Sequence, residues 1–355
     1  MNERVLVAMS GGVDSSVAAL LLKSEGLNCI GATMRLFQNS DINISNNKTC
    51  CSLDDIEDAR SVAYEIGLQH FVFNFKDDFN SQVIKRFISS YESGATPNPC
   101  IDCNRYMKWD KFYKRAEIMD CDYIATGHYA RIEKIHDRYL LKKAVDETKD
   151  QTYFLYFLTQ QQLSHTRFPI GEVRKTDIRK IAEKNGFITA GKSESQDICF
   201  VPDGDYVRTI ERITGKDYPH GKFLDREGNV LGEHKGIIRY TIGQRKGLGL
   251  SMGEAVYVCE KNIEDNTVVV GRSKELLSKE LTAVDFNWIA FDTPPAKLHV
   301  KAKIRHCQEE KWATVKPLTA DSISLIFDEP QYAIAKGQAV VLYDGEIVLG
   351  GGTIC

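Results

Sequence analysis

No stretch of the 355-residue chain approaches the roughly 20 apolar residues that a membrane-spanning helix needs. The opening, MNERVLVAMSGG, is charged too early and apolar too briefly for a secretory leader. The sequence therefore predicts a cytoplasmic protein with no membrane attachment. Positive charge is not in excess: 46 Lys and Arg oppose 49 Asp and Glu, for a net charge of −3. That excludes a molecule-wide basic field for nucleic acid and leaves room only for local basic patches. Repeats and low-complexity tracts are absent, so solenoid, collagen-like and disordered classes are excluded. The ten cysteines, at 29, 50, 51, 100, 103, 121, 199, 259, 307 and 355, contain one C-x-x-C and no second, which argues against a four-thiolate zinc site. In a cytoplasmic chain they are thiols rather than structural staples. Cys50 and Cys51 lie in a polar stretch and are not expected to function.

What is present is an ordinary globular composition, in a length that suits two or three domains. The first third alternates short apolar runs with helical stretches. Arg4 to Met9 reads as a buried parallel strand, Asp14 to Glu25 as a helix stopped by Gly26, and Cys29 to Met34 as a second strand. Asp54 to Ile66, Asp77 to Tyr91 and Arg105 to Met119 read as helices, and Phe71 to Phe75 and Tyr123 to Thr126 as strands. This order predicts an α/β fold, a parallel sheet with flanking helices. Residues 150 to 215 read as mostly helical with irregular connections. Short alternating runs then take over: Tyr257 to Cys259, Thr267 to Val270, Leu298 to Ile304, Ser322 to Phe327 and Ala339 to Tyr343. They predict a small middle β domain and a C-terminal β-barrel. The expected domains are 1–200, 201–278 and 279–355.

Ser10-Gly11-Gly12-Val13-Asp14-Ser15-Ser16 stands between the first strand and the first helix. Two glycines allow a tight turn, the helix N-terminus offers free N–H groups, and the serines add hydroxyl donors, which together make an anion site. Gly186 to Ser193 spells the phosphate-loop pattern G-x-x-x-x-G-K-S, but a helical stretch, Thr176 to Asn185, precedes it where a strand is required. It is read as a coincidence.

Two thiols stand out. Cys103 follows the rigid Thr96-Pro97-Asn98-Pro99-Cys100-Ile101-Asp102 segment at a predicted helix start, where the helix dipole favours thiolate. Arg105, Lys108, Lys111 and Arg115 follow at helical spacing, a basic face that suits phosphates. Cys199 lies in Ser195-Gln196-Asp197-Ile198-Cys199-Phe200, which alone reads as a buried strand thiol. Residues 297 to 316 carry six Lys or Arg against Glu309 and Glu310, a local basic stretch.

The SGGVDSS string resembles the pyrophosphate loop of the adenylating ATP pyrophosphatases, which cleave ATP between its α and β phosphates. Further strings are similar to those of the tRNA-specific 2-thiouridylases: Asn98-Pro99 with Cys103-Asn104, Ala125-Thr126-Gly127-His128-Tyr129, Lys149-Asp150-Gln151-Thr152-Tyr153-Phe154-Leu155-Tyr156, Gln196-Asp197-Ile198-Cys199-Phe200, Tyr240 to Gly249 and Leu349-Gly350-Gly351-Gly352. They run in order along the whole chain. The resemblance implies an adenine nucleotide alpha-hydrolase-like sheet domain and ATP-dependent replacement of the wobble-uridine O2 of tRNA by sulfur. It implies ATP, with Mg2+, at Ala8, Met9, Ser10, Gly11, Gly12, Val13, Asp14, Ser15, Met34 and Gly127, Asp14 through a magnesium-linked contact. It implies a persulfide on Cys199 and a nucleophile at Cys103, which form a disulfide that a reductant resets. Asn98, Pro99 and Cys100 would hold the flipped-out base. His128, Lys149, Asp150 and Gln151, and in the barrel Arg305, His306 and Gln338, would touch tRNA. Sulfur would come from a donor protein, a cysteine desulfurase or a relay protein.

One position departs from the pattern. Many members carry Asp where this chain has Cys100, and Asp102 is expected to point elsewhere on the turn. Cys100, Cys103 and Cys199 could instead hold a 4Fe–4S cluster for the same reaction. A small-molecule adenylating ligase of the same loop family is the alternative of another class, and it would leave the barrel and the basic stretch without a purpose.

Overall fold

The computed structural model describes residues 3–37, 53–192, 198–201 and 203–355. Cys50, Cys51 and the Ser193-to-Asp197 part of two quoted strings lie outside the described residues.

The first third forms β1 (Arg4–Ala8), α1 (Val13–Ser24), β2 (Asn28–Arg35), α2 (Leu53–Glu65) and β3 (Gln69–Asn74). A helical stretch α3 follows, made of Lys76–Phe79, a π-helical Asn80–Ile84 and Lys85–Glu92. Then comes α4, made of Pro99–Asp102, a π-helical Cys103–Phe112 and Tyr113–Ile118. β4 is Tyr123–Thr126. The parallel sheet has the order β3-β2-β1-β4, and a short β7 (Thr166–Arg167) adds beside β4. Val5 registers with Cys29 on one side and with Tyr123 on the other. Covered on both faces, Val5, Leu6 and Val7 have no solvent exposure. That is why β1 reads as a continuous apolar run rather than an alternating one, and burial of each such side chain contributes about 2 kcal/mol.

Beyond β4 the sequence expectation and the structure diverge. A hairpin, β5 (Ala130–Ile135) and β6 (Arg138–Lys143), was not legible in the sequence. Residues 150 to 215 are less helical than expected. They hold one 3₁₀ turn (Thr152–Phe154), α5 (Gln160–Ser164), α6 (Lys175–Lys184) and α7 (Tyr206–Thr214). A four-stranded sheet follows, built from β8 (Gly221–Leu224), β9 (Val230–His234), β10 (Tyr257–Asn262) and β11 (Thr267–Gly271).

The last strands are β12 (Leu277–Trp288), β13 (Leu298–Lys303), β14 (Lys311–Thr319), β15 (Ser322–Tyr332), β16 (Ala339–Asp344) and β17 (Ile347–Ile354). They run in the order β12-β15-β14-β13-β16-β17, and β12 also pairs with β17, which closes a barrel and removes its edges. The β5–β6 hairpin extends this sheet, because Val348 of β17 pairs with Leu141 of β6. The barrel is thus tied to the domain that carries the sheet. Arg138 donates to the carbonyls of Ile289 (2.6 Å) and Phe291 (2.7 Å) and pairs with Asp292. Asn287 donates to the carbonyls of Tyr156 (2.8 Å) and Leu158 (2.9 Å). Among the described residues no helix is long and apolar enough to cross a membrane.

Candidate active site

The SGGVDSS string forms the turn from β1 into α1, at the carboxyl ends of the parallel strands, where open α/β sheets bind ligands. Gly11 has φ +74°, and a Cβ there would lie 2.2 Å from the carbonyl oxygen of Asp55, so a side chain is excluded by both backbone and space. Gly127, just past β4, backs onto α1: a Cβ would come within 2.8 Å of the Ser15 nitrogen. The serines are partly spent on the turn. Ser15 Oγ accepts from the Ser10 N–H (3.1 Å) and donates to the Gly12 carbonyl (3.0 Å). Ser16 Oγ donates to the same carbonyl (3.0 Å) and accepts from Thr189 Oγ1 (3.1 Å), and Ser16 is fully buried. Ser16 therefore shapes the loop and is not the phosphate donor expected from its position.

Two cations that the sequence did not single out meet this loop. Lys175, at the start of α6, is buried, and its Nζ donates to both oxygens of Asp14 at 2.7 Å. Tyr129 OH donates to Asp14 Oδ1, also at 2.7 Å. Asp14 thus has a lysine and a phenol as partners, an arrangement that gives no support to its expected magnesium-linked contact. Lys192 donates to the Gly11 carbonyl (3.0 Å) and pairs with Asp55 (2.6 Å) and Asp58 (2.5 Å). Burial opposes the Lys192 charge, but the two carboxylates outweigh it and hold its pKa above the ordinary value. The rejected G-x-x-x-x-G-K-S string follows α6, not a strand, as expected. Its lysine nevertheless ends at the SGGVDSS loop, a result that only the fold could deliver. Nothing in the spacing of Lys175 signals its role.

Asp14, Tyr129, Lys175 and Lys192 line a cavity of about 410 Å3 together with Ala8, Met9, Ser10, Gly12, Val13, Ser15, Met34 and Gly127. His128, Lys149 and Gln151 reach it too. So do Cys103 and Cys199, two half-buried residues that the sequence holds far apart. Asn98 caps α4, its Oδ1 accepting from the Cys100 N–H (3.2 Å), with Pro99 in the first turn. Cys100 is exposed and is not in the cavity wall. Asp102 pairs with Arg86 (3.6 Å); burial raises its pKa against the opposing guanidinium.

The expected basic face of α4 does not form. The π-helical stretch alters the spacing. Arg105 lies over Phe157, Arg115 lies over Phe73, and Lys111 pairs with Asp78. Lys108 alone of the four lines the cavity, and its Nζ lies 3.2 Å from His128 Nε2. His128 is buried against Trp109 and Phe168. Burial first, and Lys108 second, hold its pKa well below the usual imidazole range, so the ring is neutral.

Other expected contact residues brace the site. The Asp150 carboxylate accepts from the Ala144 N–H (3.1 Å) and from Thr152 Oγ1 (2.6 Å), and burial raises its pKa. His306 packs on Phe154 at 4.4 Å, Arg305 donates to the Ala333 carbonyl (2.5 Å), and Gln338 donates to the Thr96 carbonyl (2.7 Å). Through Gln338 the barrel supports the segment that leads into Cys103.

The described residues give no support to a 4Fe–4S cluster. No three His, Cys, Asp or Glu side chains gather closely enough to hold a metal among the described residues. Of the three thiols that would ligate it, Cys100 stays out of the cavity wall that Cys103 and Cys199 share.

Residues 3–203 match the family described as tRNA methyl transferase HUP domain, 208–272 its PRC-barrel domain, and 278–354 the aminomethyltransferase beta-barrel domain. The chain is 51% identical, over 100% of its length and 98% of the relative's, to the tRNA-specific 2-thiouridylase MnmA of Clostridioides difficile. It is 48% identical to that of Clostridium kluyveri, over 100% of this chain and 99% of the other. The chain belongs to the tRNA-specific 2-thiouridylase family. The expected likeness is therefore met along the whole length, and with it the expected sheet domain, middle β domain and barrel. Among solved structures, the U34-tRNA thiolase NcsA from Methanococcus maripaludis with its 4Fe–4S cluster matches at 16% identity and a TM-score of 0.36. That match covers 60% of this chain and 70% of that one, too distant to bear on the chemistry.

Proposed function

We propose that this protein is a cytoplasmic tRNA-uridine 2-sulfurtransferase, replacing O2 of the wobble uridine by sulfur at the expense of ATP. The observation that carries this reading is the meeting of Cys103 and Cys199 in the cavity that the SGGVDSS loop opens. A urea-like carbonyl oxygen is a poor leaving group, so adenylation converts it into one, and pyrophosphate leaves toward the loop. Ala8 to Ser15, Met34 and Gly127 bind the nucleotide; any Mg2+ arrives with the ATP phosphates, since Asp14 is engaged by Lys175 and Tyr129.

Cys199 carries the persulfide. Its outer sulfur bonds to uridine C2 as the C2–O bond breaks and AMP departs with the electron pair. Cys103 thiolate then attacks Cys199 Sγ. A Cys103–Cys199 disulfide forms, the bond to the outer sulfur breaks, and its electron pair stays with the sulfur on the base. A thiol reductant returns two electrons, and a sulfur-donor protein reloads Cys199. The Asn98-Pro99-Cys100 turn borders the base, with His128, Lys149 and Gln151 on the cavity wall beside it. Residues 201–278 and the barrel (279–355) extend the tRNA surface, where the lysines and arginines of 297–316 meet phosphates. Arg305, His306, Gln338 and Asp150 shape that surface.

The test is nucleoside mass spectrometry of an unmodified tRNA transcript incubated with the purified protein, ATP and a persulfide donor. The expected product is 2-thiouridine at the wobble position, dependent on ATP, with AMP and pyrophosphate released. Pyrophosphate exchange without tRNA, and no thionucleoside, would overturn the proposal.

A further inference from the structure

Among the described residues four lysines line the cavity, Lys108, Lys149, Lys175 and Lys192, and Lys108 is held there by an uncharged partner. Lys108 lines the cavity with Cys103, Cys199 and Gly127, and two features hold it there. The first is the π-helical stretch Cys103–Phe112. Bonding from i to i+5 sets residues five apart one above the other, so Cys103 and Lys108 share one helix face. In a regular α-helix they would diverge by about 140°. The second is His128, whose Nε2 lies 3.2 Å from Lys108 Nζ while its Nδ1 lies 2.7 Å from Thr126 Oγ1. A neutral ring with its proton on Nδ1 donates to Thr126 and accepts from the lysine. Lys175 and Lys192 are paired with carboxylates. The hydrogen-bond partner of Lys108 is uncharged, so its positive charge remains available to the cavity.

We propose that Lys108, anchored by His128, is the catalytic cation of the sulfur-for-oxygen exchange, set against the adenylyl oxygen that leaves uridine C2. This rests on the reaction proposed above. In that step the persulfide's outer sulfur bonds to C2, the C2–O bond breaks, and its electron pair departs on the phosphate oxygen of AMP. Negative charge grows on that oxygen, and a fixed ammonium beside it is worth most in a site shielded from water.

The test is a single turnover with tRNA transcript, ATP labelled at the α-phosphate and persulfide-loaded enzyme, comparing wild type with Lys108→Met, Lys108→Arg and His128→Gln. In Lys108→Met the label reaches tRNA at the normal rate and then persists, with 2-thiouridine appearing about 100-fold more slowly. Lys108→Arg recovers most of that loss, and His128→Gln falls between. Label that clears from Lys108→Met tRNA at the wild-type rate, or that never reaches tRNA, overturns the proposal. If Lys108→Met fails to fold, Lys108→Gln and His128→Gln take its place, and label that clears from both at the wild-type rate overturns the proposal. Wild-type enzyme that fails to label tRNA instead overturns the sulfurtransferase reading itself.

Discussion

The sheet domain and the barrel solve opposite problems. At the carboxyl ends of β1 and β4 the chain leaves a cavity walled by charges, with Lys175 on Asp14 and Lys192 on Asp55 and Asp58. The barrel closes on itself through β12 and β17, and its interior is apolar: Ala313, Val315, Ile323, Leu325 and Val340 have no exposure. A parallel sheet ends in an open rim where helix starts and loop N–H groups gather, and chemistry can be placed there. A closed barrel has no rim of that kind, and here it braces. Arg305, His306 and Gln338 spend their polar atoms or rings on neighbouring loops, and Gln338 reaches the segment before Cys103.

Removing the thiols should break this contrast most completely. Cys103→Ser and Cys199→Ser are each expected to lower 2-thiouridine formation at least about 1,000-fold, as for an essential nucleophile. Filter binding should show tRNA affinity near that of the wild type. Substantial residual thiolation in either variant would place the sulfur chemistry elsewhere. Next in size is Asp14→Ala, which takes a carboxylate away from the buried Lys175 ammonium. We expect about 2 kcal/mol of lost stability by urea unfolding, less than for a fully enclosed pair because Asp14 is partly exposed. Pyrophosphate release should fall with it, and unchanged release would detach Asp14 from the nucleotide.

Arg138→Ala tests the bracing role from the barrel side. The loss of its bonds to the Ile289 and Phe291 carbonyls should cost about 1–2 kcal/mol. It should expose the 289–297 connection to limited proteolysis and leave thiolation within about tenfold of the wild type. Equal damage to both readouts would mean that this contact serves the reaction as well as the bracing. The smallest effect is that of pH. His70, His128, His234 and His306 all have pKa values lowered from 6.5, burial being the largest cause in each. The unfolded chain then binds more protons than the native one as pH falls below about 6.5, so stability present above that pH is lost on acidification. Urea midpoints at pH 7.5 and pH 5.5 should differ in that direction, and His128→Gln should flatten the slope.

Much of the sheet domain was legible because each element is short, strongly patterned and set off by a glycine or a cap. The run at β1, the Gly26 stop and the SGGVDSS turn are local facts. The β5–β6 hairpin was not legible, because its exposed half, including Glu133 and Lys134, carries little apolar signal, and its stability comes from β17. The π-helical stretch in α4 was hidden for a related reason: the sequence there is compatible with an ordinary helix, in which the basic residues would share a face that the π-helical spacing breaks up.

The sequence by itself determined the strand and helix alternation, the SGGVDSS turn and the two thiols worth watching, since these depend on neighbours along the chain. Only the tertiary structure decided that Lys175 and Lys192 meet that loop, that Lys108 joins Cys103 and Cys199 in one cavity, and that Gln338 of the barrel bonds to the segment before Cys103. Contacts between residues so far apart in sequence follow from topology and packing, which local pattern does not encode.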